Sequence, residues 1–172
     1  DRTRVFLCDG DALAMPQAAL AEVLVAVRRA LPSLTRLASY ANARSIAGKS
    51  DAELGELREL GLRLLHLGLE SGDDATLRAM NKHGDARYHV VQGLRARAAG
   101  LKLFVTVLLG LGGVERSTEH ALATARLHVL EQRPLGLRAV RRRHHFQCRR
   151  PAAHQRAQAC QPFTVRAAAQ VL

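Results

Sequence analysis

Polar residues and glycines follow four short apolar stretches of this 172-residue sequence. A carboxylate at the end of a strand can accept hydrogen bonds from a vicinal diol or bind a cation, and glycines expose backbone N–H and C=O groups to a flat ring. These residue types together favour a site for a polar small molecule. The candidates are Asp9, Gly10 and Asp11; Tyr40 and Asn42; Glu70 and Ser71; and Gly110, Gly112 and Gly113.

Glu70 is the least expected of these residues, because it continues the apolar run that begins at Leu64. At any single position a simpler interpretation stays open, since Gly, Asp, Asn and Ser are common where a strand turns into a helix. Four such positions together favour a shared ligand site. The segment 110–113 matches neither a dinucleotide fingerprint nor a Walker loop, and the two aspartates of the first group are too few oxygen ligands to indicate a cation site.

The elements that must position these residues alternate along residues 1–131. Short apolar runs predict buried strands, while capping residues, prolines and glycines predict where helices begin and end. The predicted strands cover residues 5–8, 36–42, 62–69 and 101–109. The predicted helices cover residues 17–31, 51–60, 74–80 and 85–99, with a last helix from 118 onward.

An alternating order of strands and helices implies parallel strands joined by right-handed crossovers. The predicted fold class is therefore α/β, with about four βα units that form part of a TIM-like barrel or part of a doubly wound sheet. In both architectures ligands bind at the carboxyl ends of the strands. Four strands are few for either architecture, so we expect the sequence to be a piece of a longer chain.

Composition predicts one globular domain, residues 1–131, followed by an Arg-rich tail, residues 132–172. Apolar residues make up 48% of the chain, and of the net charge of +11 the tail carries +9. No signal peptide or membrane-length apolar run is recognised. The three cysteines fit neither a disulfide framework nor a metal motif, which predicts a cytoplasmic protein.

The residues around the four strand ends form an ordered set of motifs: Phe6-Leu7-Cys8-Asp9-Gly10-Asp11-Ala12-Leu13, Ser39-Tyr40-Ala41-Asn42-Ala43, Leu67-Gly68-Leu69-Glu70-Ser71-Gly72 and Leu108-Leu109-Gly110-Leu111-Gly112-Gly113. The set resembles the radical S-adenosylmethionine (radical SAM) superfamily, in particular its branch of oxygen-independent coproporphyrinogen oxidase-like and cobalamin-domain-associated proteins. Asn81-Lys82 and His120-Ala121-x-x-Thr124 also fit. The resemblance covers about residues 4–131, and the ordered set is more specific than any one motif.

The resemblance implies a six-stranded partial barrel that binds S-adenosylmethionine. It implies that residues 9–11 contact the methionine amino group, that Glu70 and Ser71 contact the ribose or the methionine, and that residues 110–113 lie against adenine. Tyr40 and Asn42 are assigned to the same cofactor site. A [4Fe–4S] cluster would reduce the sulfonium and release a 5′-deoxyadenosyl radical, which abstracts hydrogen from a small-molecule substrate. The electron donor would be a protein such as flavodoxin or ferredoxin.

The sequence departs from the family in its cysteines. The hallmark Cys-x3-Cys-x2-Cys, whose thiolates hold the cluster, is absent. The prediction is a truncated fragment, inactive alone, whose cluster ligands lie upstream of Asp1. Cys8 is predicted to be a small buried core residue. His66 either points into the barrel or, as we prefer, is a hydrogen-bonded core histidine.

The tail has no helical or strand period, and its arginines occur without lysine or acidic residues. Disorder or an out-of-frame translation is preferred to a nucleic-acid-binding arm, since a run of charge is a weak signal. Two alternatives to radical chemistry stay open: a nucleotide- or phosphate-binding α/β domain, and nucleic-acid binding through the tail. None of these interpretations involves a membrane.

Overall fold

Four parallel strands form one sheet in chain order, β1-β2-β3-β4. The computed structural model describes residues 3–8 and 10–131, and these belong to a unit that ends at Glu131. The strands are β1 (Arg4–Leu7), β2 (Arg36–Ala41), β3 (Leu62–Glu70) and β4 (Lys102–Val107). Every predicted strand is thus present and parallel, and the α/β fold class is confirmed.

Helices fill each connection between strands, which is what returns the chain to the same end of the sheet. A short 3-10 helix (Ala12–Ala14) follows β1. The α-helices are α1 (Gln17–Ala30), α2 (Ala43–Ala47), α3 (Asp51–Glu59), α4 (Asp74–Ala79), α5 (Ala86–Ala98) and α6 (Ser117–Glu131).

The predicted start and stop signals act as expected. Ser50 and Glu53 form a capping box at α3: the Glu53 N–H donates to Ser50 Oγ at 3.1 Å, and the Ser50 N–H donates to Glu53 Oε2 at 2.7 Å. Asp73 and Asp85 cap α4 and α5. Gly61 then adopts a φ of +107°, which an L side chain rarely tolerates, so the chain can turn from α3 into β3.

The core lies between one face of the sheet and the helices α1, α3 and α5. Leu65 and Leu67 alternate along β3 and are almost fully buried, because side chains two residues apart share a face. Leu24 and Leu57 of the helices belong to the same cluster. Truncating one of these leucines to alanine costs about 2–5 kcal/mol in comparable cores.

Three expectations need correction. The 3-10 helix and α2 were not predicted, and β4 is shorter than the predicted 101–109. Cys8 is exposed rather than part of the core, because β1 ends at Leu7 and the Cys8 thiol donates to the Phe6 carbonyl at 3.7 Å.

The predicted division at residue 132 stays a prediction, since the tail lies outside the described residues. Within residues 3–8 and 10–131, no helix combines the length and apolarity needed to cross a bilayer.

Candidate functional site

The carboxyl ends of the four strands lie next to one another along one edge of the sheet, because the strands are parallel and paired in chain order. The structure therefore brings the candidate segments of the sequence to one edge. Asp9 is outside the described residues.

Asp11 connects the ends of β1 and β2. Its Oδ1 accepts the Leu13 N–H at 3.0 Å and caps the 3-10 helix, and its Oδ2 accepts the Asn42 N–H at 2.9 Å. Gly10, with a φ of +84°, makes the turn that precedes it. A carboxylate has about four acceptor sites, so Asp11 retains acceptor capacity for a ligand.

Asn42 caps α2. Its Oδ1 accepts the Ser45 N–H at 2.9 Å, while the Ser45 hydroxyl bonds the Asn42 backbone in return. The turn-and-cap interpretation therefore accounts for the Asn42 side chain without a ligand. Tyr40 lies two residues before Asn42, in β2. Its side chain is 46% exposed, and its ring packs against Phe6.

Glu70 stands at the end of β3 in a left-handed conformation, with a φ of +68°. Its Oε1 accepts a hydrogen bond from Lys82 Nζ at 3.2 Å, and the Glu70 and Lys82 side chains remain 21% and 28% exposed. A Cβ added at Gly68 would lie 2.6 Å from that same carboxylate oxygen. The carboxylate therefore lies over Gly68, and a side chain at that position would displace it.

Ser71 follows Glu70 and is fully buried. Its Oγ lies 2.7 Å from His120 Nδ1 and accepts the Asp73 N–H at 3.0 Å. The hydroxyl can donate to the imidazole nitrogen while accepting from the backbone, so both of its roles are filled within the protein. In this structure Ser71 supports the turn beside Glu70.

Asp73 anchors the next turn. Arg116 Nε and Nη2 donate to its two carboxylate oxygens at 2.9 and 2.8 Å, and Thr76 donates to it as well. The hydrogen bonds from Arg116, followed by those from Thr76, hold the pKa of the Asp73 carboxyl well below its ordinary value.

The glycine segment after β4 is a turn. The Gly113 N–H donates to the Gly110 carbonyl at 3.0 Å, and both residues have positive φ values. At Gly112 an added Cβ would lie 2.8 Å from the Arg116 carbonyl oxygen. The Leu108 N–H donates to the Glu70 carbonyl at 3.0 Å, so the chain enters this turn from beside the end of β3.

Two residues of this edge were missing from the sequence-based site. Lys82 belongs to a motif of the resemblance but was given no role, and Arg116 was not considered. Lys82 comes back to β3 because Asn81 adopts a φ of +52° and the Lys82 N–H then bonds the Leu77 carbonyl. An Asn after a short helix is the signal that predicts such a turn.

The donor set does not fit an iron–sulfur cluster. Among residues 3–8 and 10–131 there is no group of three His, Cys, Asp or Glu side chains placed to hold a metal ion, and Cys8 is the only cysteine of these residues. Apart from Asp73, whose carboxylate is taken up by Arg116 and Thr76, the described edge offers two carboxylates, one ammonium group and a glycine turn. Such groups bind an organic ligand with cationic, anionic and hydroxyl parts.

Comparison with solved structures shows the fold. Coproporphyrinogen III oxidase (HemN) from Escherichia coli, described as a radical SAM enzyme, superposes with a TM-score of 0.61 at 14% identity, over 75% of this chain and 29% of that one. Methylornithine synthase (PylB) gives 0.56 at 16% identity, over 74% and 35%. HydG, a maturase of the [FeFe]-hydrogenase, gives 0.54 at 22% identity, over 76% and 29%.

This chain therefore spans about a third of the length of those structures, and its four βα units correspond to part of a TIM-like barrel. No match was found among curated proteins. The sequence model of one family, the radical SAM superfamily, matches residues 1–125. Because that match covers most of the sequence, this chain belongs to the radical SAM superfamily.

Proposed function

We propose that residues 4–131 are the S-adenosylmethionine-binding part of a radical SAM enzyme, with the cosubstrate held along the carboxyl edge of the sheet. The observation that carries the proposal is the Glu70 carboxylate, which lies over Gly68 at this edge, partly exposed and oriented by Lys82. A carboxylate so placed can accept both hydroxyl hydrogens of a ribose.

The other groups complement the rest of the cosubstrate. Asp11, which follows the turn at Gly10, supplies a carboxylate for the methionine ammonium, to which a charge-assisted hydrogen bond is suited. The 110–113 turn supplies backbone N–H and C=O groups for adenine. Ser71 acts by positioning, because its buried hydroxyl holds the turn that follows Glu70.

In such an enzyme S-adenosylmethionine supplies the 5′-deoxyadenosyl radical that abstracts hydrogen from a small-molecule substrate. The ligands of the required [4Fe–4S] cluster are not among the described residues, so we assign these residues to cosubstrate binding. The proposed electron donor is a small redox protein such as flavodoxin or ferredoxin, and the proposed compartment is the cytoplasm.

Titration calorimetry of the 172-residue chain with S-adenosylmethionine tests the proposal. Glu70→Gln keeps the size of the side chain and removes its charge, and we expect about tenfold weaker binding, or roughly 1.4 kcal/mol. Glu22→Gln, an exposed carboxylate of α1, is the matched control and should bind like the unaltered chain. Absence of binding by the folded chain, or equal binding by Glu70→Gln, would reject the proposal.

A further inference from the structure

Each of the four strands contributes one aromatic ring to the same face of the sheet. The ring centroids of Phe6 and Tyr40 are 4.7 Å apart, those of Phe6 and His66 are 5.0 Å apart, and those of His66 and Phe104 are 4.8 Å apart. Tyr40, His66 and Phe104 are direct partners in the strand register. We call these four rings the aromatic row.

The aromatic row lies on the face opposite the helices. The leucines that alternate with His66 along β3, Leu65 and Leu67, belong to the helix-covered core, whereas the aromatic row does not. Tyr40 is 46% exposed and the other three rings are half-buried. Parallel sheets are normally covered on both faces, and an exposed apolar patch of this kind marks a binding surface.

Three cations border the aromatic row. Arg4, Arg36 and Lys102 each precede a ring of their own strand by an even number of residues, so they project from the same face. Arg4 and Arg36 are also direct partners in register. None of the three forms an ion pair with a carboxylate among residues 3–8 and 10–131. The surface therefore combines rings with positive charge that no described acid neutralises.

His66, like Tyr40, brings polar atoms to this surface. No described group is hydrogen-bonded to its imidazole, so the preferred expectation of a hydrogen-bonded core histidine is wrong. Burial, and secondly the positive charge of Arg36, lower the pKa of His66. A neutral imidazole has one donor and one acceptor nitrogen, and both are left for a ligand.

The aromatic row also continues into the proposed cosubstrate site. His66, Gly68 and Glu70 lie at alternate positions of β3, and the Glu70 carboxylate lies over Gly68. A molecule lying on the rings is therefore separated from the Glu70 site by about two residues of one strand, or roughly 7 Å. This placement suits the molecule that reacts with the cosubstrate, which is the substrate.

We propose that the aromatic row binds the substrate, and that the substrate is an aromatic acid: a planar body of one or two rings that carries a carboxylate or phosphate. The assignment rests on the proposed function, because it takes the helix-free face of the sheet to be the interior of the barrel. The rings pack against the planar body, the acidic group pairs with Arg36 and its neighbouring cations, and His66, like the Tyr40 hydroxyl, can supply a directional hydrogen bond.

Fluorescence titration of the 172-residue chain with 2-naphthoate, and with 2-naphthalenemethanol as its neutral counterpart, tests the inference. Phe104→Leu should weaken the binding of both probes about tenfold, because it removes one of the rings on which the planar body stacks. Arg36→Gln should weaken 2-naphthoate about tenfold, as expected for a charged hydrogen bond, and leave the alcohol unchanged. Arg87→Gln removes an exposed cation from α5 and should change neither.

Two results would overturn the inference: no binding of 2-naphthoate by the folded chain, or affinities that neither Phe104→Leu nor Arg36→Gln alters. Thermal unfolding followed by circular dichroism identifies a variant that has lost its fold. In that case the titration of the other variant decides whether the inference holds. The same proteins are titrated with S-adenosylmethionine. Glu70→Gln should lose affinity for it and keep affinity for 2-naphthoate, so a failure of the cosubstrate site is separate from a failure of the aromatic row.

Discussion

At the scale of single residues, Asp73 receives more hydrogen bonds than any other side chain described at the carboxyl edge. Arg116 donates to both of its oxygens, and Thr76 donates through its backbone and its hydroxyl. The Asp73 side chain is only 12% exposed. These hydrogen bonds need the ionised form of Asp73. Through its bonds from Arg116, the Asp73 carboxylate connects the turn after Glu70 to the start of α6.

The stability of the fold should therefore depend on the ionisation of Asp73. Its pKa is lowered on folding, so its contribution is complete above the unfolded value of about 3.9 and is lost as pH falls toward the lower folded value. We expect the urea midpoint to fall between pH 5 and 2 less steeply in Asp73→Asn than in the unaltered chain. Identical pH profiles, with Glu22→Gln as the control, would contradict this.

The sequence indicated some of these residues and not others, for a physical reason. Glu70 was recognisable because a carboxylate that continues an apolar strand has no structural explanation. The role of Lys82 was not predicted, because Asn81 signals the turn but not that the turn brings Lys82 back to Glu70. The prediction that Cys8 is buried was wrong because an apolar run does not show at which residue a strand ends.

At the scale of elements, long periodic segments were predicted correctly, whereas the 3-10 helix and α2 were missed. The helix α1 carries Leu20 and Leu24 on its buried side, a period that the sequence displays. The helix α2 has five residues, too few for a period to appear, and it forms because Asn42 caps it and Ile46 packs into the core. Its capping pair, Asn42 with Ser45, was the available signal.

The approach of α6 to the end of β3 predicts a second effect. A Cβ at Gly72 would lie 2.6 Å from backbone atoms of Ala123 and Thr124, and the Gly72 N–H donates to Thr124 Oγ1 at 2.9 Å. Backbone cannot yield as a flexible side chain does, so Gly72→Ala should lower the free energy of unfolding by about 1–3 kcal/mol.

Gly55→Ala is the matched control for Gly72→Ala. Gly55 lies inside α3, and an added Cβ would meet nothing within 4 Å, so alanine should raise stability by about 1 kcal/mol through its helix propensity. Urea unfolding of both variants gives the comparison. Equal stability of the two would show that α6 does not approach β3 as closely as described.

At the scale of the whole molecule, the two proposals assign two ligands to two different surfaces of the sheet. Its carboxyl edge presents the charged groups proposed for the cosubstrate, and its helix-free face presents the aromatic row. The helices cover the remaining face, and the buried core found within residues 3–8 and 10–131 runs from Leu13 to Leu101. We therefore expect the described core to hold the binding groups in place without the Arg-rich tail.

A chain that ends at Glu131 tests whether the described core and the proposed cosubstrate site need the tail. Because its core is unchanged, it should fold and bind S-adenosylmethionine within about twofold of the 172-residue chain by calorimetry. Its net charge falls from +11 to +2, so binding to a heparin column should weaken strongly and elution should need less salt. A loss of cosubstrate affinity in the shortened chain, with the fold retained, would place part of the site in residues 132–172 and refute the division of the chain at that point.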